Sequence, residues 1–123
     1  MTGISILTDT NPLIYLLDGN TEIARILDGK IVWLSVISEL ELFGKKGLST
    51  QDIQQINALV RSCYIAEINP DIKKITKDLL QSYPVKLPDA IIAATSIYLD
   101  LPLITSDKSF HKLPDLKLVL FEP

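Results

Sequence analysis

Apolar and polar positions along the chain switch between a strand-like and a helix-like period. Residues 4–7, Ile-Ser-Ile-Leu, read as a buried strand that stops at Thr8-Asp9, and Pro12-Leu13-Ile14-Tyr15-Leu16-Leu17 reads as the helix that follows. Thr10 or Asn11 is placed to cap that helix with Pro12 at its first position, where a missing N–H costs nothing. Thr21 then caps a short helix carrying Ile23, Ile26 and Leu27, which Asp28-Gly29 closes before the strand Ile31-Val32-Trp33-Leu34. A second polar corner falls at Ser35. Ser38-Glu39-Leu40-Glu41 opens the next helix, with Ser38 and Glu41 at capping-box spacing and Ile37, Leu40 and Phe43 as its apolar stripe. Gly44-Lys45-Lys46-Gly47 breaks it, and Ser49 begins a longer helix with Ile53, Ile56 and Val60 at helical spacing.

Residues 64–68 look like a third strand. Asn69-Pro70 repeats the cap-then-proline start, and Ile72, Ile75, Leu79 and Leu80 carry a helix to Tyr83-Pro84. Pro88 leads residues 89–95, small or apolar on nearly every face, which marks a helix buried in the protein. Leu103-Ile104-Thr105 is a fourth strand ending at Ser106-Asp107, a tight segment runs through Phe110 and His111, and residues 116–121 supply a fifth strand. With no repeat, low-complexity tract or linker, this alternation makes residues 1–123 one α/β domain. Asp9 thus sits at the carboxyl end of the first strand, the edge of an open α/β sheet where ligands bind.

Composition narrows the partners. Twelve Lys+Arg against fifteen Asp+Glu leave a net charge of −3, so nucleic acid could be held only locally, not by a broad basic face. Lys45, Lys46, Lys86, Lys108 and Lys112 are the local candidates for contacts with nucleic-acid phosphates, and solvated lysines read equally well. An apolar fraction of 47% leaves room for an oligomer interface, and a homodimer is the expectation. The single cysteine, Cys63, cannot form an internal bridge and lies in an apolar run as a reduced core thiol. No targeting segment and no run near the ~18 apolar residues of a membrane helix is evident, so the expected location is cytoplasmic and away from membranes. Tyr15 reads as core or interface, and His111, the only histidine, as a surface or rim residue.

Acids collect at the strand-to-helix junctions: Asp9 after the first strand, Glu39 or Glu41 after the second, Asp89 opening the buried helix, and Asp107 after the fourth. Each alone suits a first helical turn, which favours negative charge. Together they come to one sheet edge, where two carboxylates about 5 Å apart would repel by roughly 3 kcal/mol at an effective dielectric of 20. That repulsion calls for a cation. Oxygen ligands without a His or Cys partner suit Mg²⁺ or Mn²⁺, and the chemistry such a site allows is metal-assisted hydrolysis with no protein nucleophile.

The set T-D-T-N at residues 8–11, S-V-I-S-E-L-E-L-F-G at 35–44, L-P-D-A-I-I-A-A-T at 87–95 and L-I-T-S-D-K-S-F at 103–110 resembles the PIN domain, more narrowly the VapC-type toxin ribonucleases. The resemblance runs nearly end to end. It implies a single PIN-like domain with a central, mostly parallel sheet of about five strands flanked by helices. It also implies a catalytic metal site for Mg²⁺ or Mn²⁺ made by Asp9, Glu41, Asp89 and Asp107, and cleavage of RNA phosphodiester bonds. Thr10, Asn11 and Thr105 or Ser106 would support the acids or their waters, and a small antitoxin protein would be the partner of such a toxin. Glu41 rather than Glu39 follows from the alignment alone, since two residues on a helix differ by about 200° of rotation and the two glutamates flank the apolar stripe on opposite edges. Ser109 stands before Phe110 where many members carry a further acid, which leaves one or two ions open.

Two other classes compete. A receiver or haloacid-dehalogenase-like phosphotransfer domain would also carry an Asp after its first strand, but the one wants a neighbouring acidic pair and the other usually D-x-D, where Asn11 stands here. A non-catalytic PIN-like domain that binds RNA or protein is the nearer alternative, disfavoured because all four acidic positions are filled.

Overall fold

Strand β1 (Ser5–Thr8) is the centre of a five-stranded, wholly parallel sheet in the order β3-β2-β1-β4-β5, with β2 (Ile31–Ser35), β3 (Tyr64–Ala66), β4 (Leu103–Thr105) and β5 (Leu118–Leu120). The computed structural model describes residues 3–123. Parallel strands need crossovers, which the helices supply. Among the described residues these are α1 (Thr10–Leu17), α2 (Thr21–Leu27), α3 (Val36–Phe43), α4 (Thr50–Arg61), α5 (Pro70–Ser82) and α6 (Leu87–Leu99), with a 3-10 turn at Lys108–Lys112.

The side chains of each strand alternate between two cores, as the pleat requires. Leu7 and Leu103 point to one face and pack with Ile72, Leu79, Ile92 and Phe110, beneath α5 and α6. Ile6 and Ile104 point to the other and meet Ile23, Leu27 and Phe121, while Leu34 joins Leu13, Leu42 and Ile56 under α1, α3 and α4. Tyr15 packs edge-on against Phe121 with ring centroids 5.9 Å apart, a core role. Helix α6 is buried from Ala90 to Ser96, as its small residues imply. The strand order reverses direction between β1 and β4, so the crevice at their carboxyl ends is the topological switch point.

Several local expectations shift by a residue or more. The cap of α1 is Asp9, whose side chain accepts the Thr10 N–H, so the helix starts at Thr10 and not at Pro12. Asn20, not Thr21, caps α2. Helix α3 begins one turn earlier than the Ser38 spacing suggests because Ser35 turns its hydroxyl back to the Ile37 N–H. Ser38 is then an interior, fully buried helical residue, and the capping box belongs instead to Ser49 and Asp52 on α4. Starting α3 at Val36 also rotates its faces: Ser38 and Leu42 are buried, whereas Leu40 is 60% and Phe43 36% exposed. Ile53 and Leu80 likewise lie on the surface. Strands β3 and β5 are shorter than the apolar runs that announced them. Cys63 is half-buried rather than deep in the core, and burial pushes its thiol pKa up.

Candidate active site at the carboxyl edge of the sheet

Four elements deliver one acid each to the crevice. Asp9 leaves the end of β1, Glu41 stands on the last turn of α3, Asp89 lies in the first turn of α6, and Asp107 follows β4. With Thr10, Asn11 and Ile14 they line one open basin of about 270 Å³. Glu39 does not line it, as the rotation between the two glutamates requires.

The acids differ in how they are held. Asp9 is 6% exposed and both its oxygens accept: Oδ1 from the Thr10 N–H at 2.8 Å, Oδ2 from the Thr105 hydroxyl at 2.7 Å. Thr105 in turn accepts the Asp107 N–H at 3.0 Å, so one buried hydroxyl ties the first and fourth acids together. Asp107 Oδ1 accepts the Ser109 N–H at 2.8 Å and so shapes the turn after β4. The hydroxyl of Thr10 lies 2.6 Å from Glu41 Oε1 and 3.0 Å from Ser38 Oγ. Asn11 is exposed on the basin rim. Ser106 hydrogen-bonds none of the acids; among the described residues its buried hydroxyl has no partner, and neither has that of Thr8.

Burial raises the pKa of Asp9 above the usual carboxylate range against the pull of its Thr105 and Thr10 hydrogen bonds, and the charges of Glu41 and Asp107 push the same way. Asp89 is raised by burial first, then by Asp9, Asp107 and Glu41, with Lys86 opposing. Each acid therefore feels the others across the basin.

Among the described residues no Lys, Arg or His lines this basin. Lys45 and Lys46 line a neighbouring groove of about 170 Å³ that shares Ile14 and Glu41 with it. Lys86 acts on Asp89 from the end of α6, Lys108 pairs with Glu122 at 3.5 Å on the surface, and Lys112 and His111 are exposed. The donor set of carboxylate, hydroxyl and amide oxygens without sulfur or imidazole fits a hard divalent ion, and the excess of negative charge fits it too. Among the described residues no three His, Cys, Asp or Glu side chains stand close enough together to hold a metal ion as they are placed. The fit is one of donor type and position on a basin wall.

Asp9, Asp89 and Asp107 stand at the element ends the sequence predicts, whereas Glu41 lies on the last turn of α3 and it is Glu39 that occupies the first turn after β2. Ser38 carries no such signal in the sequence: a hydroxyl three residues before a glutamate has the spacing of a capping box, and only the structure shows it beside Thr10.

The PIN domain family model matches residues 6–116. No curated protein matches the chain. Among solved structures it is similar to a toxin–antitoxin complex from Klebsiella pneumoniae, at 33% identity with 96% of this chain and 99% of that chain covered and a TM-score of 0.80. VapBC-1 from nontypeable Haemophilus influenzae is 24% identical over 95% of this chain and 98% of that one, with a TM-score of 0.76. VapBC2 from Rickettsia felis, bound to a DNA fragment, is 16% identical over 97% and 100% with a TM-score of 0.80. The last two show the shared fold.

Proposed function

The chain belongs to the PIN-domain family, and from that membership we propose that it is a metal-dependent ribonuclease, the toxin of a toxin–antitoxin pair. The observation that carries the reading is the convergence of Asp9, Glu41, Asp89 and Asp107, from four separate elements, on one basin that no protein cation lines. A phosphodiester is repelled by such a basin unless a cation is interposed.

Asp9, Glu41, Asp89 and Asp107 would hold a Mg²⁺ or Mn²⁺ ion. When bound, such an ion activates water as the nucleophile and neutralises charge on the phosphate being cut. Asp9 is the rigid member, fixed by the Thr10 N–H and the Thr105 hydroxyl. Thr10 orients Glu41, and the Asp107 N–H bonded to Thr105 keeps the turn after β4 in register with β1. Asn11 on the rim is placed to donate to a phosphate oxygen or a water. Lys45 and Lys46, in the adjoining groove, are the basic side chains best placed to take the flanking RNA backbone. His111 has no role in this scheme.

The partners in this reading are the RNA substrate, a small antitoxin protein and a second copy of the chain. The Klebsiella structure, itself a toxin–antitoxin complex, supports the second, and the exposed Leu40 and Leu87 offer apolar surface for a protein partner. No helix among the described residues is long and apolar enough to cross a membrane. A cytoplasmic location accords with a lone, unpaired cysteine.

The test is cleavage of a panel of RNAs, tRNAs included, by the purified chain with Mg²⁺, with Mn²⁺ and with excess chelator. Cleavage that appears only with metal and vanishes in Asp9→Asn is the expected result. Cleavage that persists in chelator removes the metal reading, and a chain that binds RNA without cutting any is the binding module instead.

A further inference from the structure

Ser38 neither caps α3 nor lines the basin, yet it is fully buried in the middle of that helix. Such a position would take alanine, which forms helix better and brings no polar group to satisfy. A buried hydroxyl left without a partner is destabilising, so the partner of Ser38 matters. That partner is Thr10, across the junction between α1 and α3.

The direction of the bonds follows from proton counting. The Thr10 hydroxyl owns one proton and lies 2.6 Å from Glu41 Oε1 and 3.0 Å from Ser38 Oγ. A carboxylate only accepts, so the shorter contact takes the Thr10 proton. The contact with Ser38 must then be the Ser38 O–H donating to Thr10 Oγ1. The chain of donors runs Ser38 to Thr10 to Glu41.

We infer that Ser38 is a positioning residue for Glu41: by occupying Thr10 Oγ1 as a donor, it turns the Thr10 proton toward Glu41 and holds that carboxylate at the basin before an ion arrives. Glu41 needs such help more than its neighbours do. It is solvent-exposed on a long side chain, whereas Asp9 is buried and doubly bonded. Fixing a glutamate costs rotamer freedom, and a relay that restricts it beforehand shifts that cost from binding to folding. Donation by Ser38 also polarises the Thr10 hydroxyl and strengthens its bond to the carboxylate. The inference rests on the metal reading of the basin given above.

The experiment is titration calorimetry of Mn²⁺ into the full chain, its Ser38→Ala variant, Thr10→Val, and the double variant, with melting temperatures recorded in chelator. Ser38→Ala should bind Mn²⁺ roughly 10-fold more weakly, the lower end of the 10–100-fold range for partners of metal ligands. Its melting temperature without metal should stay within a few degrees of wild type. RNA cleavage lost at limiting Mn²⁺ should return at saturating Mn²⁺, which a general packing defect would not allow. In the Thr10→Val background, where the relay is already cut, Ser38→Ala should bring no further loss. Unchanged Mn²⁺ affinity in Ser38→Ala, an equal loss in both backgrounds, or a variant that no longer folds would each overturn the inference. A wild-type chain that takes up no Mn²⁺ would refute the metal reading itself, and this inference with it.

Discussion

Replacing Asp89 by Asn separates the work of the basin from the stability of the fold. Asp89 feels the charges of Asp9, Asp107 and Glu41, and only Lys86 opposes them. Two charges about 8 Å apart repel by about 2 kcal/mol at an effective dielectric of 20 but only about 0.5 kcal/mol in water. Because Asp89 is only partly buried, the water-like figure applies to each of its three neighbours, and solvent screening discounts it further. Removing the charge therefore relieves about 1–1.5 kcal/mol. Against this stands the loss of a negative charge in the first turn of α6, worth about 0.3–1 kcal/mol. The isosteric amide keeps the shape of the side chain, so repulsion wins by a small margin. A margin of about 0.5 kcal/mol moves the melting temperature of a domain this size by about 1–3 °C. In excess chelator at pH 7, Asp89→Asn should melt at or slightly above wild type. On the metal-dependent reading proposed above, the order should reverse in saturating Mg²⁺, since the wild type would gain about 2.7 kcal/mol at a concentration one hundred times its Kd and the variant little. Differential scanning calorimetry with and without metal reads both arms. A fall of several degrees in the metal-free melting temperature would show that Asp89 serves mainly to start α6, and the charge argument would be wrong.

Asp9→Asn should abolish cleavage but behave differently in stability: the amide nitrogen must face one of the two donors that Asp9 now satisfies, so its metal-free melting temperature should fall below that of Asp89→Asn, as thermal melts in chelator will show. Glu41→Gln should reduce cleavage more than 100-fold and Glu39→Gln less than roughly 10-fold, with neither unfolding the chain, because Ser35 caps α3; equal mild losses in kcat/KM would leave Glu41 without its role. The metal-free protein should gain stability on acidification. Asp9 and Asp89 are both raised above the ordinary 3.8, so their favourable contribution is complete below that value and is lost as pH rises through the raised ones. Asp52 is lowered by its bonds to Ser49, and its contribution disappears only below 3.8. Melting temperatures in chelator should therefore be higher near pH 5 than at pH 7, and a fall on acidification from pH 7 to pH 5 would contradict the signs assigned to the two basin acids.

The fold was legible because its signals are periodic and redundant. Apolar runs that end at an acid or serine, proline one step after an asparagine at Asn69-Pro70, and a helix of small residues from Ala90 to Ser96 each point to one element, and their alternation leaves a parallel sheet as the economical solution. What failed was the single-residue assignment of caps. Asp9, Asn20 and Ser35 each have a neighbour of similar capping ability, and the choice is made by which side chain is free to turn back on the helix. Thr10 is not free, because its hydroxyl is engaged by Glu41, 31 residues away. Leu40 and Phe43 were misread for a related reason: the start of α3 at Val36 sets which face meets the core, and that start depends on Ser35.

The same residue explains why the acids could be found from the sequence while their support could not. A single carboxylate after a strand can be a helix cap, as Asp9 is for α1, but several of them at elements that gather on one sheet edge stand out along the sequence. A hydroxyl is ordinary anywhere. Thr10 donates its N–H to Asp9 and its O–H to Glu41, while Thr105 joins Asp9 to the backbone of Asp107. Two buried threonines thus link three of the four acids, and Asp89, to which no such bond runs, is the one held by its helix alone. That difference orders the expected responses: substitutions at Thr10 and Thr105 should disturb folding and basin together, and Asp89 is the position where charge can be removed with the least damage to the frame.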